Sequence, residues 1–130
     1  MMENPAESTY DPRYLCGIEH FNTCDFFEAH EVWEELWADY QGPLRQFYQG
    51  LIQVAVCLHH FGNGNSRGAR KLYDSSRRYL EPYRPLTMGL DVDKLLREMD
   101  SCCAELLAEP LPEGPIQLDV ERIPEIHLTS

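Results

Sequence analysis

The sequence predicts an all-α fold: a single-domain bundle of about four helices with an extended C-terminal strap. Two observations carry that expectation. Apolar residues recur at helical spacing in four separate segments, and nowhere does apolar and polar alternation persist over strand length. Each segment is also bounded by residues suited to helix ends, with Asn, Asp or Pro in front and Gly or Pro behind. The expected organisation is an N-terminal arm over 1–20, a helical core over 21–109 and an extended tail over 110–130.

The first helix is expected to begin at Asn22, whose side chain suits a cap, with Asp25 placed favourably for the helix dipole. Phe21 and Phe26 are spaced as a hydrophobic staple. Gly42 and Pro43 end this helix after about Tyr40. The second runs from Pro43 or Leu44 to about Phe61. Steps of about 100° place Leu44, Phe47, Tyr48, Leu51, Ile52, Ala55 and Leu58 on one broad face, so this helix should be central and most buried. Gly50 inside it costs about 1 kcal/mol relative to alanine, and close packing of another helix is the natural reason.

Gly62, Asn63 and Gly64 then form a turn, and Asn65 or Ser66 caps a third helix that ends near Leu80. Pro82 and Pro85 break the chain into a connection lasting to Gly89. Asp91 caps a fourth helix, whose apolar stripe from Val92 to Leu107 stops at Pro110. Pro112, Pro115 and Pro124 forbid a long helix beyond, while Ile116, Leu118, Val120, Ile123, Ile126 and Leu128 suggest a strap laid over the bundle.

Composition narrows the function classes. Hydrophobic residues are 43% and charged residues 25% of the chain, values of a globular protein that can bury a core. The longest apolar stretch, Leu51 to Leu58, is interrupted by Gln53 and falls far short of the roughly 20 residues that span a bilayer, so no membrane insertion is expected. The start has neither a basic nor an apolar leader region, and five cysteines without a C-x-x-C pair argue against a disulfide framework or zinc knuckle. A cytoplasmic location is the expectation. A net charge of −11 repels a phosphate backbone, so nucleic acid is not an expected partner. Charge is uneven, however. Residues 1–40 hold ten acids against Arg13 alone, whereas Arg67, Arg70, Lys71, Arg77 and Arg78 crowd the third helix. Local ion pairs account for that cluster, and the asymmetry also leaves room for a homodimer.

The candidate site lies on the first helix. Measured from His30, Glu34 falls about 40° round the helix and Trp37 about 20° the other way, so all three share a face. Phe26, Phe27 and Trp33 flank them, which places an imidazole and a carboxylate within an aromatic face; Glu28, Glu31, Glu35 and Asp39 form a solvated acidic face opposite. A carboxylate in such surroundings requires a cation, a donor or a proton. Histidine and glutamate at i and i+4 suit one divalent metal ion, with His59 or His60 of the second helix as further ligands and Phe27, Trp37, Gln49 and Gln53 as pocket walls. Glu34 would then serve as metal ligand or general base. The competing reading is a buried hydrogen-bonded pair, a common way to satisfy both groups.

The stretch FNTCDFFEAHEVWEELW, followed by QFYQGLIQVAVCLHHFGNGNSRGARKLY, closely resembles the bacterial and archaeal domain-of-unknown-function family 309. Its marker, His-x-x-x-Glu-x-x-Trp or Tyr, is met by His30, Glu34 and Trp37. The resemblance implies a compact helical fold and a divalent metal ion as cofactor, and members carry the label of predicted metal-dependent hydrolases. It implies no particular small-molecule substrate. Two functions are therefore carried forward: a metal-dependent hydrolase acting through His30 and Glu34, and a non-enzymatic helical interaction module in which those two residues are a structural pair.

Overall fold

The computed structural model describes residues 10–112 and 114–129. Among these are six helices and one short hairpin. The helices are α1 (Pro12–Asn22), α2 (Phe26–Asp39), α3 (Arg45–Gly62), α4 (Ser66–Leu80), α5 (Val92–Cys102) and α6 (Ala104–Leu107).

Helix α1 occupies what the sequence reading treats as an arm; residues 1–9 of that arm lie outside the described residues. Its N-cap is Asp11, whose side chain accepts the Arg13 amide at 2.8 Å, and Pro12 sits where a missing amide costs nothing. It buries Tyr14, Gly17, Ile18 and Phe21. Asn22 therefore closes α1 and does not open α2. Cys24, at φ 64, turns the chain, and α2 starts after Asp25. The staple pair still meets, since Phe21 and Phe26 pack edge to face at 5.4 Å across this corner.

Helix α3 is the central element, packed against α2 on one side and α4 on the other, with ten of its residues buried. A Cβ at Gly50 would stand 2.7 Å from the Leu80 side chain, so the absent side chain lets α4 approach as expected. Asn65 caps α4 through the Gly68 amide at 3.0 Å, and Asp91 caps α5 through the Lys94 amide at 2.9 Å.

Between α4 and α5, a 3₁₀ turn (Glu81–Tyr83) leads into β1 (Leu86–Thr87), which pairs antiparallel with β2 (Leu90–Asp91) in the register Leu86 to Asp91 and Thr87 to Leu90. Met88 and Gly89 both take positive φ, as a tight two-residue hairpin requires. Strands of two residues are too short to leave alternation in a sequence. The expected fourth helix also divides: α5 ends at Cys102, and Cys103 separates it from the single turn of α6.

The tail is extended apart from a 3₁₀ turn at Val120–Arg122. It turns Ile116, Pro124 and Ile126 inward, where they are buried. Asn22 binds the Ile126 backbone twice, donating to its carbonyl and accepting from its amide, both at 2.8 Å. The Thr129 amide donates to the Gly89 carbonyl at 2.7 Å, tying the chain end to the hairpin. No helix among the described residues is long and apolar enough to cross a membrane.

Candidate functional site

Helix α2 turns Phe26, Ala29, Trp33 and Leu36 inward, and Trp33 is the aromatic that reaches the core. Glu34 lies about 100° from Trp33 around the helix. The stripe of His30, Glu34 and Trp37 therefore borders the core and does not enter it. The side chain of His30 is 23% exposed and that of Glu34 55% exposed, so the expected burial of a carboxylate does not occur. The helix carries aromatics on two adjacent stripes, and the inner one belongs to Trp33. Phe27 likewise lies outward, 43% exposed.

His30 Nε2 stands 3.3 Å from Glu34 Oε1, and its Nδ1 stands 3.3 Å from the Phe27 carbonyl oxygen. Both partners are acceptors, so the ring meets them through N–H groups: one in a neutral tautomer, two as imidazolium. Both nitrogens thus face partners within their own helix. Trp37 is half-buried, and the Arg45 guanidinium lies over its ring, 3.9 Å from the centroid. The sequence reading missed Arg45, for which the only available signal was its place at the start of the neighbouring helix.

The expected second-helix ligands do not converge on this pair. The Phe27 ring sits between His30 and His59, with centroids 5.6 Å and 5.7 Å away. His59 Nε2 meets the Asn63 amide nitrogen at 3.2 Å, and His60 Nδ1 meets that of Asn65 at 3.3 Å, so both histidines engage the turn that follows α3. Among the described residues no group of three His, Cys, Asp or Glu side chains stands close enough to hold a metal ion. His30 and Glu34 supply two donors, where a closed protein-built metal centre takes three or four. Gln49 is half-buried; Gln53 is too, but its Oε1 is buried without a hydrogen-bond partner among the described residues. Phe27 and Trp37 are thus surface neighbours of the pair, with Phe27 exposed and Trp37 half-buried.

The other clusters have local explanations. Arg70 pairs with Asp74 at 3.2 Å and donates to the Leu106 carbonyl, while Arg77 reaches Asp100 at 2.5 Å and Glu81 at 3.7 Å. Asp100 also accepts from Tyr73, and the Tyr73 phenol is pushed up to about 12 by burial and by that carboxylate. Cys57, Cys102 and Cys103 are buried; Cys57 donates to the Ala69 carbonyl, and the Cys102 thiol is raised by its hydrogen bond with Cys103 and by burial.

Comparison with known proteins finds a family model that part of the chain matches. Residues 14–72, which run from α1 into α4, match the profile of a domain of unknown function, DUF309. An uncharacterised Bacillus subtilis protein, YpuF, is 38% identical over 96 residues, which are 71% of this chain and 55% of that protein. An uncharacterised Aquifex aeolicus protein is 44% identical over 46 residues, 35% of this chain and 14% of its own length. The matched segments thus span just over half of one relative and a small part of the other.

Proposed function

We propose that this chain, which belongs to the DUF309 family, is a non-enzymatic helical interaction module in which His30 and Glu34 form a structural pair at the edge of an aromatic surface. The observation that carries this reading is that each candidate ligand is engaged locally. His30 meets its own helix, His59 and His60 meet the following turn, and Glu34 extends into solvent with His30 as its nearest partner. An exposed pair of this kind is worth about 0.2–1 kcal/mol, enough to orient a ring and too little to hold a fold together.

Two further points support it. The surface beside the pair presents Phe27 and Trp37, aromatic side chains of the type enriched at interfaces, with Arg45 stacked on one of them. In addition, the segment shared with the Aquifex aeolicus protein occupies 14% of that chain, so these helices recur within a much longer protein.

The competing function, a divalent-metal site serving hydrolysis, is tested on untagged protein by elemental analysis after dialysis against zinc, manganese or iron. The expected outcome is sub-stoichiometric metal in the unmodified chain and no difference in His30→Ala. Stoichiometric metal that disappears in a folded His30→Ala variant would overturn the module reading.

A further inference from the structure

We infer that the end of the bundle where α2 and α4 begin and α3 finishes is a self-complementary interface, through which two copies of this chain pair about a two-fold axis. The inference deepens the interaction-module reading and rests on it.

The turns 23–25 and 63–65 bring the starts of α2 and α4 to one end of the molecule, and the tail from Ile116 to Ile123 runs across it. Three clefts lie in series there, of about 270, 460 and 470 Å³. The first and second share Leu118 and Val120 as walls, and the second and third adjoin at Ile116. Most of the apolar walls, Ile116, Leu106, Phe26, Leu58 and Phe61, belong to the core, and two stand open to solvent. Val120, in the middle, is 74% exposed, and Leu111, at the far end, is 60% exposed. Phe27 stands at the near end, its ring against His59, which lines the first cleft. Three of the four large apolar side chains exposed among the described residues are thus gathered at this one end. Exposed apolar side chains gathered at one end in this way mark an interaction site.

Charge decides the occupant. The near end carries Asp25 and Glu28, exposed in the first turn of α2 beside Cys24, which lines the cleft. The far end carries Arg67 and Arg70, which line the third cleft at the start of α4. Glu28 and Arg67 have no ion-pair partner among the described residues, whereas Arg70 is shared with Asp74. Glu109 also borders the far end, and Asp119 and Arg122 flank Val120 but pair with each other at 3.7 Å. The surface therefore runs from negative through apolar to positive. A two-fold axis through its middle turns such a strip onto itself: Val120 meets Val120 of the second copy, and each Glu28 faces the other's Arg67. The isologous arrangement closes at two copies, and no other partner is required to match its charge order.

Sedimentation velocity on the full chain, from about 1 μM to 1 mM, tests this over the range of modest interfaces. The expected result is a monomer–dimer equilibrium that does not grow past two. Val120→Asp, at a mostly solvent-exposed position, keeps the helical circular dichroism and weakens pairing by about tenfold or more, as loss of a central apolar anchor does. Arg67→Glu and Glu28→Lys each weaken it alone, and mixing the two variants restores a dimer of one of each. Monomer throughout, growth beyond a dimer, a dimer indifferent to Val120→Asp, or no restoration on mixing would each overturn the two-fold pairing. Those results would leave the module reading standing, because that reading is tested separately, by metal binding to the unmodified chain.

Discussion

Trp33 is the residue on which the packing of the first two helices depends. It is fully buried, its indole N–H donates to the Tyr14 carbonyl at 3.2 Å, and it lies directly over Gly17 of α1, where any Cβ would overlap the ring. Gly17→Ala is expected to lower stability by about 1–3 kcal/mol through displacement of the indole, even though alanine is the better helix former. A melting temperature equal to or above that of the unmodified chain would contradict the account. Gln53 gives the opposite sign. Its unpartnered buried oxygen carries a desolvation cost that Gln53→Met removes, so that variant should melt higher, by the equivalent of about 1 kcal/mol. Tyr48 supplies a pH dependence. Burial, then the neighbouring Tyr40, push its phenol up to about 12, while an unfolded tyrosine titrates near 10. The raised value means that the folded state holds this proton more tightly. The contribution is complete below about pH 10 and is lost as pH rises towards 12. A spectrophotometric titration of the phenols should show Tyr48 and Tyr73 ionising late, together with a fall in stability over that window.

At the scale of elements, the helices with long apolar stripes and strong caps were legible in the sequence. α3 announced itself by a nearly continuous buried surface, α4 by Asn65 and α5 by Asp91, and both caps form. The less legible elements have physical reasons. α1 is short and polar on its outer side, and its signal is Asp11 followed by Pro12, with Tyr14, Ile18 and Phe21 behind; Asn22, a strong capping residue in isolation, drew attention to the wrong boundary. The hairpin is two residues deep and follows from Met88 and Gly89 in left-handed conformations. His30, Glu34 and Trp37 share one helix, as their spacing predicts, but which of two adjacent aromatic stripes faces inward depends on Gly17 across the interface, which no periodicity within α2 reveals. Asn22, freed from capping, holds the tail. Asn22→Ala removes both bonds to Ile126 and should cost about 1–3 kcal/mol while raising amide exchange at Ile126. Unchanged exchange there would mean that burial of Ile116, Pro124 and Ile126 fixes the tail without Asn22.

For the whole molecule, one hydrophobic cluster runs through α1 to α6 and under the tail, and the His30 and Glu34 pair stands at its edge. The central claim is that His30 and Glu34 are a surface pair serving an interaction module and not a metal centre. It is tested most directly by the melting temperature of the unmodified chain with and without excess zinc or manganese, measured in parallel with His30→Ala. A ligand that binds the folded state raises its stability by about 2.7 kcal/mol at a hundredfold excess over the dissociation constant, so a real site cannot remain silent. Coincident curves with and without metal are expected for both proteins, with His30→Ala destabilised by no more than about 1 kcal/mol. A metal-dependent rise in melting temperature that His30→Ala abolishes would contradict that claim.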